Sequence, residues 1–131
     1  MKVYIYEHFW TDDSVSKDKN SLYIFGDNDA GKGCKGQAVI RYLPNAMGIP
    51  TKKFPSMALS SFYTDDELDK NKDTITGAIE KIKKESVNYE SVVFPKDGFG
   101  TGLAMLKTAA PKTFEFLEGQ VEFLKIYLKD A

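Results

Sequence analysis

Apolar residues along this chain fall into two kinds of run. Val3-Tyr4-Ile5-Tyr6, Leu22-Tyr23-Ile24-Phe25 and Ser91-Val92-Val93-Phe94-Pro95 are short, unbroken and rich in β-branched and aromatic residues, and they predict strands. The second is apolar at every position, as expected of a strand covered on both faces. Elsewhere the spacing is helical. Leu68, Ile75, Ala78, Ile79 and Ile82 share one face of a predicted helix. Thr64 to Glu67 reads as a capping box in front of it, and Lys81, Lys83 and Lys84 complement the macrodipole at its far end. Phe114, Leu117, Val121, Leu124 and Leu128 repeat at helical intervals behind Pro111, a residue suited to a first turn. Gly119 interrupts this pattern, and Val121 to Leu128 reads as helix in preference to an edge strand.

The polar and proline-rich stretches complete the outline. Thr11 to Asn20 reads as a surface loop, and Gln37 to Tyr42 as a short helix ending before Pro44. Pro44, Pro50 and Pro55 make the segment from Pro44 to Ser56 ordered but irregular, and Pro44 to Lys53 is expected to wall a pocket. Met57 to Tyr63 is expected to be a third strand. Alternating strands and helices imply an α/β fold, a three-layer α/β/α arrangement around a mostly parallel or mixed sheet.

Length and composition narrow this. The 131 residues fit a single domain, residues 1–131. Charged residues make up 28% and the formal net charge is −1, with lysines interleaved among Asp and Glu, so there is no basic footprint for a nucleic acid. One cysteine, Cys34, excludes an intrachain disulfide, and with a single histidine, His8, it cannot build a structural zinc site. Neither a metal nor a cofactor is expected. The first eight residues lack the apolar stretch of a secretory signal, and no segment approaches the roughly 18 apolar residues of a membrane helix. A cytoplasmic, membrane-free protein is the expectation, in the host cytoplasm if phage-encoded; nothing in the residues sets the oligomeric state.

The chemistry concentrates in two glycine-rich loops, each directly after a predicted strand. Gly26 to Gly36 contains Gly31, Gly33 and Gly36 with Lys32 and Lys35; the second runs Gly98-Phe99-Gly100-Thr101-Gly102. Glycine lets backbone amides approach an anion, and successive amides form an anion nest. If the strands are parallel, both loops lie at one edge of the sheet, where such sheets bind ligands. The alternative is that the glycines serve only turns. Gly26-Asp27-Asn28-Asp29-Ala30-Gly31-Lys32-Gly33 nearly spells a phosphate-binding P-loop, but Gly33 replaces the Ser or Thr that would hold magnesium. Asp27, Asn28 and Asp97 can accept from ribose hydroxyls or a base edge, although Asp and Asn also serve turns. His8 has no partner in sequence, Cys34 reads as a spectator, and Phe54, Phe62 and Phe99 are each either stacking or core residues.

Gly26-Asp27-Asn28, Gly36-Gln37-Ala38, Pro44 through Lys52 (PNAMGIPTK) and Asp97 through Ala104 (DGFGTGLA) resemble a family of small bacterial and phage proteins without an assigned function, over Leu22 to Leu117. More distantly, the two loops resemble those of macrodomains, which bind ADP-ribose. Ala104 stands where one hydrolytic branch of macrodomains carries aspartate. The resemblance implies a macrodomain-like fold that binds ADP-ribose or a related NAD-derived nucleotide. It places Gly98, Phe99, Gly100, Thr101 and Gly102 on the diphosphate, and Gly31, Lys32, Gly33 and Gly36 near the distal ribose. Asp27, Asn28, Gln37, Asn45, Thr51 and Lys52 complete the expected site. For hydrolysis, Asp97 would be the general base and Lys32 a catalytic cation. The alternatives are a protein that sequesters a nucleotide signal in phage–host conflict without catalysis, and a structural or protein-binding domain.

Overall fold

A computed structural model describes residues 1–131. Its sheet has four strands, β1 (Lys2–Tyr6), β2 (Ser21–Asp27), β3 (Ala46–Pro50) and β4 (Ser91–Pro95), in the order β1-β4-β2-β3. Every pairing is parallel. The helices are α1 (Asp12–Lys17), α2 (Leu68–Ser86), α3 (Leu106–Ala109) and α4 (Pro111–Asp130), with a 3-10 helix over Gly36–Ile40.

The period of two along the strands divides the core. Leu22 and Ile24 of β2, Val92 and Phe94 of β4 and Ile49 of β3 face Ile75, Ile79 and Ile82 of α2 and Leu117, Val121, Leu124 and Leu128 of α4. Tyr23, Phe25 and Val93 point the other way, into a smaller cluster with Trp10, Val15 of α1, and Ala38 and Ile40 of the 3-10 helix. The continuous apolar run of β2 is explained by this two-sided covering. Both helical patterns in the sequence are realised, and Val121 to Leu128 is helix.

Four expectations are corrected. Thr11 to Asn20 is not a plain loop. It contains α1, started by a reciprocal cap in which Thr11 Oγ1 accepts from the Ser14 amide and Ser14 Oγ from the Thr11 amide. Residues 46–50 form strand β3 despite the flanking prolines, because Pro44 precedes the pairing and Pro50 closes it. Met57 to Tyr63 is no strand. It holds a 3-10 turn over Leu59–Ser61 and has a single antiparallel bridge, Lys52 to Phe62, while Tyr63 at its end is buried in the core. Thr64 makes no side-chain cap: the Glu67 amide donates to the Thr64 carbonyl, and the Glu67 side chain pairs with Lys53.

Candidate functional site

The connections leave the C-terminal ends of the strands alternately. β1 leads to α1 and β2 to the 3-10 helix, both packed on the Trp10 face. β3 leads to α2 and β4 to α3 and α4, on the opposite face. With the order β1-β4-β2-β3, each neighbouring pair diverges, so three crevices arise of the kind in which parallel sheets bind ligands.

Two of these crevices are filled by the protein itself. Between β2 and β3 the backbone keeps pairing beyond the strands: the Thr51 amide donates to the Asp27 carbonyl, Asp29 to Lys52 and Ala30 to Lys53. Between β4 and β2 sits the side chain of Gln37. Its Oε1 accepts from the Gly26 amide at 2.7 Å, and its Nε2 donates to the Gly98 carbonyl at 2.8 Å. Its own carbonyl accepts from Trp10 Nε1 at 2.9 Å. One residue thereby ties together the chain segments that follow β1, β2 and β4.

The third crevice, between β1 and β4, is open. The last backbone bond there runs from the Lys96 amide to the Tyr6 carbonyl. Beyond it lies a cleft of about 600 Å³ lined by Glu7, His8, Phe9 and Trp10 after β1, by Gly36 and Gln37, and by Pro95, Lys96 and Asp97 after β4. Of the residues expected from the sequence, the structure brings Gly36, Gln37 and Asp97 to this cleft. Asp97 is exposed, and its backbone carbonyl accepts from Thr101 Oγ1.

The first glycine loop is held by its own side chains. Asp27 forms a largely buried ion pair with Arg41. It also packs so closely on β3 that a Cβ at Gly48 would lie 2.6 Å from the Asp27 Cβ. Asn28 is buried and closes the loop on Lys32, donating to its carbonyl and accepting from its amide. Arg41 donates to the carbonyls of Gly33 and Lys32. Gly31, Gly33 and Gly36 take left-handed backbone conformations, and Lys32 is exposed outside the cleft lining.

The remaining expected residues lie apart. Thr51 is buried and donates to the Asp27 carbonyl. Lys52 is buried, donates to the Ser56 carbonyl at 2.8 Å and lies over the Phe62 ring; burial lowers its pKa. Asn45 precedes β3 at the opposite end of the sheet, donating to the carbonyls of Val15, Asp18 and Ser21. In the second loop Gly98 gives its carbonyl to Gln37, and the Gly102 carbonyl accepts from the Met105 amide. Phe99 belongs to the core, edge-on to Phe94. Gly100 needs both its positive φ and its missing Cβ, which would lie 2.7 Å from the Leu106 Cβ. No group of three His, Cys, Asp or Glu side chains is placed to hold a metal ion, and no helix is long and apolar enough to cross a membrane.

Glu7, His8, Phe9, Trp10, Pro95 and Lys96 were not singled out by sequence as a site. A usable signal existed: the rule that points to segments after strand ends applies to β1 as much as to β2 and β4.

A family model described as a family of unknown function, DUF7831, matches residues 5–120. The chain belongs to this family. No curated protein and no solved structure matches it significantly, and the macrodomain likeness finds no support in these comparisons. The expectation of a protein family without an assigned function stands; the fold is α/β with an all-parallel sheet.

Proposed function

We propose that the protein binds a phosphate-bearing nucleotide derivative, ADP-ribose or a related NAD-derived molecule, in the cleft between the ends of β1 and β4. One observation carries this reading. The single open crevice gathers aromatic residues (Phe9, Trp10), a cation (Lys96) and carboxylates (Glu7, Asp97) around the backbone of Gly36. These are the groups that a base, a phosphate and ribose hydroxyls require, in a concave site of suitable volume. Lys32 adds positive charge from the neighbouring loop. If the bound molecule is also cleaved, we assign Asp97, at the entry to the second glycine loop, as the carboxylate that takes a proton from water.

A thermal-shift screen with ADP-ribose, its cyclic and phosphorylated forms, NAD⁺ and ATP tests binding, since a ligand selective for the native state raises the melting temperature. No shift with any of them would sink the proposal. Asp97→Asn then separates catalysis from sequestration. A general base lost at this position lowers turnover by roughly 10²–10⁴-fold with little change in affinity. Unchanged turnover at saturating ligand would remove Asp97 from catalysis.

A further inference from the structure

We infer that Phe9 is the stacking platform for the aromatic base of the ligand, presented by a β1–α1 loop that is anchored at both ends. The inference rests on the nucleotide reading above and assigns its base subsite. Phe9 is 87% exposed, although it stands next to Trp10, which is only 6% exposed. The contrast has a structural cause. Trp10 is clamped by its bond to the Gln37 carbonyl and by edge-to-face contacts with Tyr6 at 5.7 Å and Tyr23 at 5.6 Å. One residue later, Thr11 caps α1. The backbone on the C-terminal side of Phe9 is therefore anchored, and on the other side Tyr6 is fixed in β1. A phenyl ring held in water on such a mount recovers apolar area when a planar ligand group covers it, and the anchored ends limit the backbone ordering that binding has to impose.

The surroundings fix the kind of ligand. A purely apolar molecule would leave Glu7, Lys96 and Asp97 without partners in the same cleft. A base attached to a ribose and a phosphate satisfies all three, with the sugar hydroxyls donating to carboxylates and the phosphate meeting Lys96. The crevice on the other side of β4 is closed to such a ligand by Gln37. The base therefore falls on the β1 side, away from the second glycine loop.

The test compares ADP-ribose with ribose 5-phosphate, which lacks the base, by calorimetric titration of the full chain. Phe9→Ala should weaken ADP-ribose by about tenfold or more, the usual scale of one base–aromatic stack, and Phe9→Tyr should restore it. Ribose 5-phosphate should bind parent and Phe9→Ala alike. Trp10, the chain's one tryptophan, lines the cleft, so a change in its emission on titration serves as a second readout in each variant. Equal ADP-ribose affinity in parent and Phe9→Ala would overturn the inference while leaving the nucleotide reading intact. So would an equal loss for both ligands, which marks a collapsed loop. A parent that binds neither ligand fails the underlying reading as well.

Discussion

The two ends of the sheet use polar residues in opposite ways. At the N-terminal end Asn45 is 4% exposed, and its amide is spent on the backbone carbonyls of Val15, Asp18 and Ser21, where α1 ends and β2 begins. At the C-terminal end Glu7, His8, Lys96 and Asp97 stand exposed around an open cleft. Both ends carry Asn, Asp and Lys, so residue type alone does not separate them. The separation lies in whether the hydrogen-bonding capacity of a group is already used by the protein. The first glycine loop belongs with the N-terminal end on this criterion, because Asp27, Asn28 and Arg41 saturate one another and the loop backbone.

The sharpest way to break this contrast is at Asn45. Asn45→Asp would turn a donor into a carboxylate facing three carbonyl oxygens, and the expected loss is about 3 kcal/mol or more. The loss should be read as a lowered urea midpoint. Ligand affinity of the molecules that remain folded should be unaffected. A variant as stable as the parent would show that Asn45 is not structural, and the division between the two ends would fall.

Gln37 comes next, because it belongs to both classes: bonded to the protein through both Oε1 and Nε2, yet lining the cleft. Gln37→Glu keeps an acceptor for the Gly26 amide but sets an anion against the Gly98 carbonyl. A destabilisation of about 1–3 kcal/mol is expected. The Trp10 emission should shift in the unliganded protein, since the Trp10 indole is bonded to the backbone of the same residue. Unchanged stability and emission would mean that the three strand ends are not coupled through this side chain.

The same criterion explains what the sequence could and could not reveal. Leu22 to Phe25 and Ser91 to Pro95 were legible as strands because their burial on both faces leaves a continuous apolar run. Helices α2 and α4 were legible because one face is buried and period 3.6 survives. Strand β3 was hidden: it is an edge strand of five residues that includes Gly48 and ends in Pro50, so composition argues against it. Only its register beside β2 makes it a strand. The candidate cleft was legible in part, as segments after strand ends. Which crevice stays open was not, since that depends on the Gln37 side chain reaching Gly98 across 61 residues of sequence. Nor could sequence show that Asn45 lies at the wrong end of the sheet for the expected site.

The smallest expected effect concerns Asp65, a carboxylate whose capacity is used, in contrast to Asp97. Helix α4 has no side-chain cap of its own, and its first turn begins with Pro111. Asp65 supplies the cap from a distant turn, accepting from the Lys112 amide at 2.9 Å, and from the Thr113 amide and hydroxyl at 3.1 and 3.0 Å. Burial acts to raise its pKa, but these donors outweigh it and hold the carboxyl below its ordinary value of 3.8. A depressed folded-state pKa contributes stability above the unfolded value and loses it as pH falls through the folded one. Asp65→Ala should therefore cost about 1 kcal/mol, as for loss of a helix N-cap. The difference from the parent should stay constant from neutral pH down towards the ordinary aspartate range and shrink below it. Urea melts of both proteins across that acidic range measure this. A difference that grows on acidification would show that the carboxylate is not stabilised by the start of α4, and would remove Asp65 from the saturated class.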